Sequence, residues 1–72
     1  MDRTEVRSEM PGTVKEVLVA AGEAVTTGQE LVILESMKME VPVEAPRDGA
    51  VHEVLVGEGA VVEEGQVLVA LA

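Results

Sequence analysis

Residues 11–34 read "PGTVKEVLVAAGEAVTTGQELVIL" and residues 48–71 read "DGAVHEVLVGEGAVVEEGQVLVAL". At an offset of 37, 13 of these 24 positions are identical, among them Gly12/Gly49, Val14/Val51, Val17/Val54, Gly22/Gly59, Gly28/Gly65, Gln29/Gln66 and Leu34/Leu71. So dense a match is a duplication rather than chance. There are only two copies, and neither has enough apolar surface to bury a core by itself, so the pattern is not that of a solenoid. Two similar halves are expected to pack face to face about a pseudo-twofold axis, as a small sandwich or flattened barrel. The whole chain, 1–72, is expected to form one domain, with repeat halves near 11–34 and 48–71.

The halves read as strands. Valine occurs 15 times, and there is no Phe, Tyr or Trp. Valine is stiff at its first side-chain torsion and suits a pleated surface better than a helix. Glycines and prolines punctuate short valine-rich runs, and no segment holds a helical period. The spacing predicts strands near 4–9, 13–20, 24–26, 31–36, 39–45, 50–57, 61–63 and 67–71. Val14, Val17 and Val19 are spaced three and then two, and Val51, Val54 and Val56 repeat this. An odd step turns side chains to the wrong face unless one residue is bulged out, so a bulge or sharp bend is expected in both copies. Gly22, Gly28, Gly59 and Gly65 are expected in turns at positive φ.

Composition excludes several function classes. The 72 residues carry a formal charge of −9, which would repel nucleic acid and suits either a basic partner surface or simple solubility. There is no cysteine, so neither disulfides nor thiolate metal sites arise. No apolar run approaches the roughly 20 residues of a membrane span, and Met1–Glu5 has no signal-peptide core. A cytoplasmic, membrane-free protein is the expectation.

One short stretch is not explained by folding. "ESMKME", residues 35–40, falls where the first copy ends and the second begins. The duplication pairs Lys38 with Met1 and so sets the 37–38 turn opposite the chain ends. With strand formers on both sides, Met37-Lys38 should be the tip of a tight hairpin, yet the usual Asn-Gly or Asp-Gly is absent. A poor turn sequence at such a place suggests a position that must be this lysine. The bland alternative is an ordinary solvated lysine. No aromatic wall, second cation or catalytic triad accompanies it, so the amine is better suited to being acted on than to acting. His52, whose repeat mate is Lys15, reads as an exposed strand residue. Glu35 and Glu40 are spaced as paired carboxylates but have no cleft, and read as a solvated rim.

Glu35-Ser36-Met37-Lys38-Met39-Glu40 resembles the attachment motif of the biotinyl domain family, (A/S)-M-K-M. Met10-Pro11-Gly12-Thr13-Val14 is similar to that family's M-P-G-x-(V/I), and Ala45-Pro46-Arg47-Asp48-Gly49 to its A-P-x-x-G. The element G-x-x-(L/I) appears twice, at Gly28–Leu31 and Gly65–Leu68. The resemblance covers nearly the whole chain. It implies an all-β flattened barrel of two four-stranded antiparallel sheets, the barrel-sandwich hybrid of lipoyl and biotinyl domains. It implies biotin on Lys38, joined by a biotin protein ligase, with Met37, Met39, Glu35, Ser36 and Glu40 as recognition neighbours. The biotinyl group then carries CO2 as carboxybiotin from a biotin carboxylase to a carboxyltransferase, and the chain is a carrier, not an enzyme. In an extended chain both methionines point away from Lys38, so flexible core filling is the competing role for them.

Departures are small. Ser36 stands where Ala is frequent, and Glu23 and Ala60 stand where Asp often follows the turn glycine. The short Ala20–Glu23 connection leaves no room for the thumb some carriers insert, and there is no Ala/Pro-rich linker. A stand-alone, monomeric carrier is the expectation, with an excised domain the other choice. Two rival functions remain: a lipoyl carrier, or acceptor of both groups, against which the two methionines argue; and an unmodified acidic interaction module.

Overall fold

The computed structural model describes residues 3–72. Eight strands follow one another: β1 (Thr4–Arg7), β2 (Gly12–Val17), β3 (Ala24–Val25), β4 (Glu30–Ser36), β5 (Met39–Glu44), β6 (Gly49–Val54), β7 (Val61–Val62) and β8 (Val67–Leu71). They make two four-stranded antiparallel sheets, ordered β1-β8-β6-β3 and β5-β4-β2-β7. Shifting by 37 residues carries β2 onto β6, β3 onto β7 and β4 onto β8, and turns one sheet order into the other. The all-β fold and its pseudo-twofold are those the repeat predicts. The repeat mate of Lys38, Met1, lies outside the described residues.

Of the expected bulge or sharp bend, both copies have the bulge. In β2, Val14 pairs with Leu34 and Glu16 with Ile33, leaving Lys15 as the extra residue. In β6, Val51 pairs with Leu71 and Glu53 with Ala70, leaving His52. Each bulge lets the valine before it point into the core, where Val14 and Val51 are buried. Val17 and Val54 are only half-buried and pack against the core from its margin, a shallower place than their spacing implies.

Strands β2 and β6 end three residues sooner than predicted, at Val17 and Val54. The apolar run continues to Ala20, but past Val17 the backbone turns toward the other sheet. The Leu18 N–H still donates to the Leu31 carbonyl, and by Gly22 the N–H donates to Val51 of the opposite half. The second copy does the same with Leu55 to Leu68 and Gly59 to Val14. β1 stops at Arg7 rather than 9 because the Ser8 N–H turns to the Gln66 carbonyl and its hydroxyl to Met10 O.

The four turn glycines have φ between 85 and 91°. An L side chain is strained there, so the identity of these positions in both copies is conformational. Between the sheets, Leu31, Val32, Leu34, Val62, Leu68, Val69 and Leu71 are wholly buried. Each large aliphatic side chain so buried contributes roughly 1.5–3 kcal/mol. No helix is long and apolar enough to cross a membrane among the described residues.

Candidate functional site

The β4–β5 hairpin runs in register through Leu34↔Val41 and Glu35↔Glu40 to Ser36↔Met39. Only Met37 and Lys38 remain to turn the chain. Both have positive φ, 54° and 67°, the signature of a type I′ turn. That turn matches the right-handed twist of the strands, which is why two non-glycine residues are held in a left-handed conformation here. The expected hairpin tip therefore exists, formed by residues that resist it.

Strand β2 supports the tip from the side. Thr13 pairs with Glu35, and Gly12 passes so close that an added Cβ would lie 2.9 Å from the Glu35 carbonyl oxygen. Any side chain at 12 would push β4 away from β2 two residues below the turn. Gly12 is thus a glycine of close approach, not of unusual torsion.

At the tip the side chains are open. Met37 is 92% and Met39 67% exposed, so neither fills the core. Lys38 is exposed as well, and among the described residues its amine makes no ion pair or side-chain hydrogen bond. A groove of about 430 Å3 runs between the edges of β1 and β5, lined by Val6, Met10, Leu34, Val41 and Pro42, and Lys38 does not reach into it. Ser36 is half-buried at the hairpin's last pair, while Glu35 and Glu40 are exposed and directly opposed.

The other lysine is not free. From the β2 bulge, Lys15 Nζ donates to Glu40 Oε2 in an ion pair that spans β4. The Glu40 carboxylate, by hydrogen bond first and by charge second, holds the Lys15 amine above the usual lysine range, with Glu35 and Glu16 adding to the effect. The Lys15–Glu40 contact joins residues 25 apart on strands that are not neighbours, and sequence reading did not find it.

Farther from the tip, the Ala45–Gly49 segment ties the halves together. Ala45 is buried, and Arg47 donates to Thr4 Oγ1, to the Asp48 carbonyl and to the Ala72 carbonyl. Asp48 Oδ1 accepts from the Thr27 N–H at 2.7 Å and from the Thr27 hydroxyl at 3.0 Å. These bonds, the backbone one first, hold its carboxyl below the usual aspartate range.

Residues 4–71 match the biotin/lipoyl family described as "Biotin-requiring enzyme". The chain belongs to the biotin/lipoyl family. It is 51% identical over 41 residues to the biotinylated protein TB7.3 homolog of Mycobacterium leprae, covering 57% of this chain and 58% of that one. It is 50% identical over 42 residues to the biotin/lipoyl attachment protein of Bacillus subtilis, covering 58% of each. Larger biotin/lipoyl relatives include a pyruvate carboxylase of Staphylococcus aureus, 47% identical over 45 residues, or 62% of this chain and 4% of the relative. The chain thus spans between a few per cent and about three-fifths of its relatives' lengths. Among solved structures it resembles Kluyveromyces lactis urea carboxylase, with TM-score 0.94, 30% identity, and cover of 100% of this chain and 6% of that chain. It also resembles a single-chain, multi-domain long-chain acyl-CoA carboxylase, with TM-score 0.88, 37% identity, and cover of 94% and 7%.

Proposed function

We propose that this chain is a biotin carrier whose attachment point is Lys38. The observation that carries the reading is an exposed lysine amine at a two-residue turn, without an ion-pair partner among the described residues and flanked by two exposed methionines, in a member of a biotin-requiring family. A biotin protein ligase would join the carboxyl of biotin to Nζ as an amide, the amine losing a proton and the activated carboxyl its leaving group. The attached group would supply a ring nitrogen that carries carboxyl between the biotin carboxylase and carboxyltransferase of a carboxylase system.

The residues fit that role. Lys38 lies outside the groove beside β5, and no ion pair or side-chain hydrogen bond among the described residues holds its side chain down. The lysine stem with a five-carbon acyl chain gives about ten rotatable bonds and a reach of more than about 10 Å. A tether replaces diffusion between two sites with a high effective concentration. The rigid part is the twin-sheet body; the moving part is one side chain. The chain works as a carrier, monomeric and cytoplasmic in this reading, and lowers no barrier itself.

The test is an intact mass after incubation with a biotin ligase, biotin and ATP. One biotinyl group should be added, lost in Lys38→Arg and kept in Lys15→Arg. Label persisting in Lys38→Arg would overturn the assignment. Because one relative is named a biotin/lipoyl attachment protein, natively expressed protein should be probed with streptavidin and with anti-lipoate antibody together.

A further inference from the structure

Glu35 and Glu40 face each other directly across the β4–β5 hairpin, one pair below the pair that closes the turn. Residues so opposed have Cβ atoms about 5 Å apart, and like charges there destabilise the pairing. The turn above them is already unfavourable, with two non-glycine residues at positive φ. A repulsive pair under a strained turn should splay the tip.

Lys15 answers this. It is the extra residue of the β2 bulge, displaced from the β2–β4 ladder. Its amine crosses β4, a lateral distance of about 9.5 Å from β2 to β5 by strand spacing, to bind Glu40. The duplication supplies an internal control. The repeat mates of Lys15, Glu35 and Glu40 are His52, Ala72 and Arg3, so the other half holds no such arrangement. The bulge is common to both halves; the cation on it, between two carboxylates, belongs only to the half with the lysine turn.

We propose that Lys15 is a positioning residue for acylation of Lys38, a cross-strand clamp that holds Glu40, cancels its repulsion with Glu35 and keeps the Met37-Lys38 turn closed. The proposal rests on the carrier reading above, but the clamp itself is a property of the unmodified hairpin. Lys15 does not touch the group transferred; it acts through β5.

Two readouts separate the clamp from the carrier reading: amide hydrogen exchange across residues 35–40 in unmodified protein, and the initial rate of biotinylation by a biotin ligase. Lys15→Glu adds a third carboxylate and should speed exchange at the hairpin and slow labelling by about fivefold, an effect of the size exposed charge pairs reach. Lys15→Arg keeps the cation and should stay within about twofold of wild type. The double variant Lys15→Glu/Glu40→Arg restores the pair reversed and should return hairpin exchange to the wild-type rate; its test is exchange alone, because Glu40 is itself a recognition neighbour. All differences should shrink in high salt, which screens exposed charges. Wild-type exchange and labelling in Lys15→Glu would overturn the clamp, as would a double variant whose hairpin exchanges as fast as that of Lys15→Glu. If wild type takes no label, the carrier reading fails and the exchange data alone judge the clamp.

Discussion

Replacing Met37 with glycine should stabilise the protein, although it removes a large side chain. Met37 has φ 54° and is 92% exposed, so it bears the cost of a left-handed backbone with almost no burial in return. That conformation costs an L residue roughly 1–2 kcal/mol. Glycine adopts it freely but makes the unfolded chain more flexible, an opposing effect of about 0.4–1 kcal/mol. The difference is a gain of about 0.8 kcal/mol. For a domain of this size, that raises the melting temperature by about 3–6 °C. With no aromatic residue in the chain, the transition is best followed by far-ultraviolet circular dichroism or calorimetry. Met37→Gly should melt higher and be biotinylated more slowly, separating what the turn needs to fold from what a ligase needs to read. An unchanged or lower melting temperature would refute the reasoning, since Met37 would then be contributing contacts that its exposure denies.

Leu68→Ala, at a wholly buried position, should cost on the order of 2–5 kcal/mol, while Lys38→Ala should leave the thermal melt almost unchanged. The reverse order in the same melts would misplace both residues. Asp48 has a depressed folded-state pKa, so its contribution is complete above the ordinary aspartate range near about 4 and is lost as pH falls through the lower folded value. Asp48→Ala should therefore melt below wild type at neutral pH, and the gap should close as the solution is acidified well below the ordinary aspartate range. A gap that persists unchanged in acid would remove Thr27–Asp48 charge as its cause.

Sequence and structure agree where a feature is local or doubled. The 37-residue repeat announces two equivalent sheets, the three-then-two valine spacing announces a bulge or bend in both copies, which the structure places at Lys15 and His52, and isolated glycines mark turns at positive φ. The tip was readable for the opposite reason, since Met37-Lys38 is a bad turn sequence in a place that must turn. The ends of β2 and β6 were not readable. Leu18, Val19 and Ala20 continue the apolar pattern of a strand while their backbone is crossing between sheets, and pattern alone does not distinguish the two. The Lys15–Glu40 clamp was hidden because it depends on β2 and β5 lying on either side of β4, an order known only once the sheet is built. The half-burial of Val17 and Val54 has the same origin, for it is set by where each strand leaves the sheet.

The hydrogen bonds from Gly22 to Val51, Val51 to Glu23, Gly59 to Val14 and Val14 to Ala60 run from each half into the other at every crossing. The two copies are therefore cross-stitched, not merely stacked, and no seam is left along which one could pivot against the other. Bending the body at these crossings would break bonds in both copies at once. A domain made this way has no internal hinge to tune. Apart from opening of the β4–β5 tip itself, any travel of the lysine must come from torsions of its stem or from displacement of the whole body as a unit, and substitutions in the buried core should alter whether the module survives rather than how far its tip can reach.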